Sequence, residues 1–190
     1  ASEVLIGKQR VFAEDLDKAG WDEIINNKEW CLEFLRKGSE DYPALVGRAV
    51  SDIPIKSINL WPFYAIPKLA SWTSEAGRVL ILGDAAHAIP PTAGQGINQA
   101  FEDVYVFARV VGQLRKQRGE GSVPSTSALK EWQRRRQERV DRVLDLNARI
   151  NKRRMPVQAG EELVAEEFDL RWLYDVNYDE MVENIVAAAA

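Results

Sequence analysis

One unbroken run, residues 78–103, constrains this 190-residue chain more than any other feature. Val79, Leu80, Ile81 and Leu82 form a compact apolar stretch between Gly77-Arg78 and Gly83. Such a stretch suits a parallel strand buried on both faces. Gly83 lets the chain turn at the carboxyl end of that strand, and Asp84 follows it. Ligands of open α/β sheets bind at this end, and a carboxylate there is placed to accept from sugar or polyol hydroxyls. It would repel a phosphate. Pro90 and Pro91 stiffen the next loop, and Gly94 and Gly96 flank Gln95 just before a helix expected to start near Ile97. Without side chains, the backbone N–H groups of this segment can approach a flat ring or an anion, and the positive end of the helix dipole points to the same spot. The run implies a pocket for a ligand with hydroxyls on one side and developing negative charge on the other. A Gly-Asp after a strand, or a Gly-x-Gly before a helix, means little alone; joined at this spacing they are informative.

The rest of the chain supplies context. Residues 4–12 read as a short strand or strand end. Residues 14–26, interrupted by Gly20, residues 28–36, ended by Gly38, and residues 41–50, with Pro43 in the first turn, read as helices. Residues 53–64 alternate and look extended. The clearest helix is expected over 97–114, with Ile97, Ala100, Phe101, Val104, Ala108, Val111 and Leu114 on its apolar face. After a Gly, Pro and Ser loop at 119–127, a long helix over 129–150 buries Leu129, Trp132, Val140, Val143 and Ile150. Its Arg134-Arg135-Arg136 run reads as a solvated face with Glu131 and Glu138 as i,i+4 partners. An acidic helix is expected over 162–173, and residues 187–190 read as a frayed helical tail.

Hydrophobic residues make up 46% of the chain, enough for a globular core. With 25 Lys plus Arg against 29 Asp plus Glu, the formal charge is −4, which argues against nucleic acid as the main partner. A single cysteine, Cys31, excludes an internal disulfide and reads as a small buried apolar residue. No apolar run reaches the roughly 18 residues that would span a bilayer, and no signal-peptide layout opens the sequence. A soluble, cytoplasmic protein is expected, with no metal site.

From Gly83-Asp84-Ala85-Ala86-His87 through Pro90-Pro91 and Gly94-Gln95-Gly96-Ile97-Asn98 to Glu102-Asp103, the run closely resembles the second FAD motif of the single-component flavoprotein monooxygenases. These are the aromatic hydroxylase, salicylate hydroxylase-like type. Trp61-Pro62-Phe63, Trp72 and Gly77-Arg78-Val79 resemble that family too, particularly its fungal members in secondary metabolism. The resemblance implies an α/β or α+β class, with a partial FAD-binding, Rossmann-like fold of glutathione-reductase type, a few strands and a helix-rich C-terminal half. It implies a substrate-domain remnant with connecting helices over 1–60, the second half of the FAD-binding domain over 61–120 and C-terminal helices over 121–190. The cofactor-binding set it implies is Gly83, Asp84, Ala85, Pro90, Pro91, Ala93, Gly94, Gln95, Gly96, Ile97 and Asn98. Asp84 would bind the ribityl chain of FAD, and the loop 94–98 would lie against the pyrimidine side of the isoalloxazine. The helix after it would stabilise the reduced, anionic flavin, and Pro90 and Pro91 would line the face where a flavin hydroperoxide meets substrate. His87 would be packed structurally, and Glu102 and Asp103 would tie the helix to its neighbours.

Two family features do not occur in the sequence: the Gly-x-Gly-x-x-Gly unit that cradles the FAD pyrophosphate, and the Asp-Gly segment that supports FAD and the pyridine nucleotide. The leading expectation is therefore the C-terminal portion of an FAD- and NAD(P)H-dependent monooxygenase that hydroxylates or epoxidises a small organic substrate, with no catalytic base identified. Alone, the chain is expected to bind FAD weakly or not at all, and to await a missing N-terminal half or to self-associate. The alternative is a truncated, redox-inactive homologue acting as a cofactor-independent isomerase or cyclase, or as a binding protein. Trp61, Tyr64, Trp72 and His87 are then its pocket candidates. A third reading is a helical interaction module that only inherits the fold.

Overall fold

A computed structural model describes residues 5–10, 12, 16–63, 66–154 and 168–188. They form two compact units, residues 1–62 and residues 63–190. Val4, Val11, Tyr64, residues 162–167 of the acidic segment expected over 162–173, and the last two alanines lie outside the described residues.

The first unit holds three helices, α1 (Lys18–Asn26), α2 (Lys28–Arg36) and α3 (Ala44–Ser51). Asp17 caps α1 by accepting from the Gly20 N–H at 2.8 Å, and Asn27 both ends α1 and caps α2 through the Trp30 N–H at 3.0 Å. Arg36 joins α2 to α3 by donating to the carbonyls of Val50, at 3.1 Å, and Ser51, at 2.5 Å. Cys31 is buried in α2, and burial pushes its thiol up from the ordinary value. Trp30 stacks on Phe34 at 5.6 Å, and Phe12 meets Trp21 edge-on at 5.2 Å. Residues 5–10 and 53–63 contain no strand, only a 3-10 turn at Ile55–Ser57, so both extended expectations are corrected there. Pro54 and Pro62 withhold two ladder donors from the second segment.

The second unit is a helical assembly of α4 (Asp84–His87), α5 (Gly96–Arg118), α6 (Thr126–Arg154), α7 (Arg171–Tyr174) and α8 (Tyr178–Ala187). Its main core joins Trp72, Val106, Val110, Leu114, Trp132 and Ile185, with α8 packed on both α5 and α6. Trp72 and Trp132 meet edge-on at 5.5 Å. A second cluster gathers Ile89, Val140, Val143, Leu146 and Leu173.

Two expectations change here. The apolar run 79–82 is not a buried parallel strand. It is the return arm of a tight hairpin in which the Ser74 N–H donates to the Val79 carbonyl and the Ile81 N–H donates to the Trp72 carbonyl, each at 2.9 Å. Among the described residues the only bridge is the antiparallel pair Thr73 and Leu80, and Val79 is 63% exposed. The hairpin closes through Gly77, whose φ of 64° is the left-handed conformation the turn requires. The second change concerns α5. Its buried stripe is Gln99, Asp103, Val106, Val110 and Leu114, while Ile97, Phe101, Val104 and Tyr105 are exposed. The helix turns its two polar residues inward because Asp103 has a buried partner to meet there. A carboxylate buried without one would cost several kcal/mol, about the worth of two well-buried apolar side chains.

Candidate functional site

The site is built around the Gly83 turn. Gly83 has φ 58° and ψ −141°, and a Cβ added there would come within 3.1 Å of the Ala100 Cβ. The turn therefore lies hard against α5, at a conformation and a spacing that only glycine meets without strain. The chain then makes the single helical turn α4, with Asp84 and Ala85 exposed and Ala86 and His87 buried. After Ile89 the backbone enters a 3-10 turn, Pro91–Ala93, which Thr92 fastens to α6 by donating to Asn147 Oδ1 at 2.5 Å. Gly94 follows at φ 64° and ψ 24°, and nothing lies within 4 Å of where its Cβ would stand. Gln95 leads into α5 with no side-chain cap, so the first N–H groups of α5 lack a capping acceptor.

Most of the expected site residues converge on this region. Beyond its chain neighbours and the backbone of its own helix, the nearest atom to the point a Gly96 Cβ would occupy is Asp84 Oδ1, at 3.9 Å. The carboxylate and the helix start are thus neighbours. Pro91, Gly94, Ile97 and Asn98 are exposed, while Pro90, Ala93, Gln95 and Gly96 are half-buried and Gly83 is buried. Trp72 and His87, in contrast, pack against each other in the core with ring centroids 5.1 Å apart. Trp61 is exposed in the first unit. Trp72 and His87, two of the pocket candidates of the redox-inactive alternative, are therefore core residues of the second unit.

Beneath the site lies a buried ionic network. Asp103 Oδ2 accepts from the Gly83 N–H at 2.9 Å and meets His87 Nε2 at 2.6 Å, and Asp103 Oδ1 accepts from Arg136 Nε at 2.7 Å. Arg136 donates further to Glu102 at 2.6 Å, and to the Gln99 carbonyl at 3.0 Å and side-chain oxygen at 2.8 Å. Arg139 pairs with Glu102 and also donates to the carbonyls of Trp172 and Leu173, both at 2.8 Å. Burial works to raise the Asp103 pKa, but the His87 hydrogen bond, the Arg136 charge and the Gly83 N–H outweigh it and hold the carboxyl below its ordinary value. Arg136 is fully buried, which corrects the solvated-face expectation for that residue. Arg134 and Arg135 do pair with Glu131 on the outside, as the spacing suggests, and Arg134 also reaches Glu138. The gap in the expected α6 stripe was the available signal for Arg136. Trp132 and Val140 are eight residues apart, and the helical position that continues the stripe between them is 136.

Beside the start of α5 lies an open cleft of about 510 Å³, lined by Gln95, Asn98, Phe101, Glu102, Tyr105, Leu173, Tyr174 and Tyr178. Tyr105 meets Tyr178 edge-on at 5.2 Å, and burial together with the nearby Glu102 charge raises the Tyr178 hydroxyl above its ordinary value. Gln95 and Asn98 belong to the expected cofactor set, but no sequence pattern points to the other lining residues, because the walls come from two segments about 70 residues apart. Among the described residues, no helix is long and apolar enough to cross a membrane, and no His, Cys, Asp and Glu group could hold a metal ion.

Comparison with known proteins identifies the family. Residues 28–147 match the FAD binding domain family. A salicylate hydroxylase of Pseudomonas putida is 34% identical over 131 residues, which is 66% of this chain and 29% of that protein. Notoamide E oxidase notB of an Aspergillus species is 48% identical over 60 residues, 32% of this chain and 12% of its own length. The FAD-dependent monooxygenase mdpD of Emericella nidulans is 35% identical over 80 residues, 42% of this chain and 15% of its own length. The chain thus spans less than a third of each of these relatives. No solved structure matches. With its matched segment running from α2 through the Gly83 turn and most of α6, this chain belongs to the FAD binding domain family, among relatives named as hydroxylases and FAD-dependent monooxygenases.

Proposed function

We propose that the chain supplies the ribityl- and ring-holding half of the FAD site in an NAD(P)H-dependent monooxygenase that hydroxylates or epoxidises a small organic substrate. The observation that carries this reading is the proximity of Asp84 and Gly96, 3.9 Å from Oδ1 to the point a Cβ would fill. The residues suit that part of the cofactor. Asp84 is an exposed acceptor for ribityl hydroxyls, the Gly94–Gly96 backbone leaves room for a flat ring, and the uncapped start of α5 faces it with unsatisfied N–H groups. Negative charge on the ring beside that helix start would gain about 0.3–2 kcal/mol from the helix dipole. Pro90 and Pro91 stiffen the neighbouring loop, where substrate would be met. Bound FAD would supply the redox chemistry, taking electrons from the nicotinamide and passing them to oxygen.

In this reading the pyrophosphate and adenosine contacts come from a Gly-x-Gly-x-x-Gly segment outside these 190 residues. The arm 79–82 then joins a Rossmann-like parallel sheet contributed with it. The exposure of Val79, and of Ile97, Phe101 and Val104 on α5, supports such a covering partner, a second copy being the other candidate. Alone, the chain binds FAD weakly. At millimolar FMN, which carries the ribityl chain and ring, the amide resonances of Asp84, Gly94 and Gly96 should shift together, and Asp84→Ala should abolish those shifts. FMN-induced shifts elsewhere, or none, would refute the reading. The redox-inactive alternative, an isomerase, cyclase or binding protein, draws only on the tyrosine-lined cleft. A colourless protein whose cleft residues respond to small aromatic ligands, with no response to FMN, would favour it.

A further inference from the structure

We infer that Asp103 is a positioning residue for the cofactor, the side chain that fixes the Asp84 turn relative to the glycine start of α5. This rests on the flavin reading above. Gly96 opens α5, and Asp103 lies seven residues further on, about 10 Å along the same axis. One oxygen of Asp103 reaches both ends of α4, taking the Gly83 N–H at 2.9 Å and His87 Nε2 at 2.6 Å. The turn that carries Asp84 is thus clamped, front and back, by a group rooted in the helix whose first residue is Gly96. The other oxygen is held by Arg136 at 2.7 Å, and Arg136 is itself anchored on Glu102 and Gln99, so the carboxylate cannot rotate away from α4.

Asp84 takes no part in the clamp. Its carboxylate is exposed, so its separation from Gly96 depends on where the backbone of its turn is held. The close approach of Gly83 to Ala100 presses that turn onto α5 sterically, but contact alone does not fix its rotation. The pair of hydrogen bonds to Asp103 Oδ2 does. An ionised acceptor strengthens both bonds, and the depressed Asp103 pKa accords with an ionised carboxylate here. No other described side chain bonds to both ends of α4.

The experiment is NMR titration of the full 190-residue chain with FMN, read at the amides of Asp84 and Gly96, for the native protein, Asp84→Ala, Asp103→Asn and His87→Phe. Asparagine turns an amide N–H₂ either toward the Gly83 and His87 donors, losing the clamp, or toward Arg136, losing the anchor that holds the clamp in place, and it keeps the volume. Phenylalanine removes one of the two contacts and keeps the ring against Trp72. Asp103→Asn should raise the FMN concentration for half-maximal shift about tenfold or more and speed hydrogen exchange at the Gly83 amide. His87→Phe should give a smaller loss in the same direction. The comparison is made on folded protein, so lost stability alone would not move it. Should Asp103→Asn fail to fold, His87→Phe decides. If Asp84→Ala abolishes the shifts but Asp103→Asn, or His87→Phe in its place, binds FMN like the native chain, the positioning role is overturned and the flavin reading stands. If FMN moves neither Asp84 nor Gly96 in the native chain, the flavin reading fails and takes this inference with it.

Discussion

Replacing Arg136 by methionine should be among the most damaging single changes in the second unit. The side chain is fully buried and makes charge-assisted bonds of 2.7 Å to Asp103 and 2.6 Å to Glu102, with two further bonds to Gln99. Methionine fills much of the volume, so the loss is electrostatic. Asp103, fully buried, is left charged with only His87 and one backbone N–H, and Glu102 retains Arg139 and Gln99. Removing one partner of a buried pair costs about 3–5 kcal/mol. A domain is stable by only about 5–15 kcal/mol, so the melting temperature should fall by roughly 6–20 °C. Urea denaturation followed by circular dichroism measures the difference. The acid limb adds a second signature. The folded Asp103 pKa is held below its ordinary value of 3.8, so its contribution is complete above that pH and is lost as pH falls through the folded value. Without Arg136 that acid-side loss should shrink, and adding Asp103→Asn should recover part of the stability. A loss for Arg136→Met under about 1 kcal/mol would refute the network as a load on the fold.

Three further outcomes are expected. Gly83→Ala should cost about 1–3 kcal/mol by thermal melt, because φ is 58° and the new Cβ meets Ala100 at 3.1 Å; an unchanged melt would mean the turn is not pressed on α5. The native chain should be a dimer or larger by light scattering, and Phe101→Glu, in the middle of the exposed α5 stripe, should shift it toward monomer; a native monomer across a wide concentration range counts against this. Glu131, hydrogen-bonded by Arg134 and Arg135, should titrate near pH 2 by NMR. Its contribution is present above its ordinary 4.5 and lost toward 2, and Glu131→Gln should cost at most about 1 kcal/mol because Arg134 is half in solvent; a normal midpoint would mean the pairs do not persist.

How far the sequence could be read depended on which contacts are local. The boundaries of α2 and the core residues of α6 follow from periodicity and capping, and the meeting of Asp84 with Gly96 follows from a motif only 13 residues long. The errors came where a partner distant in sequence decides. Hydrophobicity alone turns the apolar stripe of α5 inward, whereas Arg136 draws Asp103 and Gln99 to the core instead. The arm 79–82 has strand composition, but composition does not specify which chain pairs with it, and among the described residues that chain is the antiparallel segment before it. The tyrosine cleft needed the fold to bring residues 173–178 beside α5.

The long α6 helix holds the two halves of the Gly83-to-Gly96 segment at separate points, Arg136 under the glycine turn and Asn147 under the proline turn. Eleven helical positions, about 16 Å, separate these moorings. A change in the proline loop that loosens Asn147 would leave Asp103 gripped by Arg136, and the reverse holds as well. Substitutions in the proline turn can therefore alter that loop while the turn that carries Asp84 stays moored through Asp103.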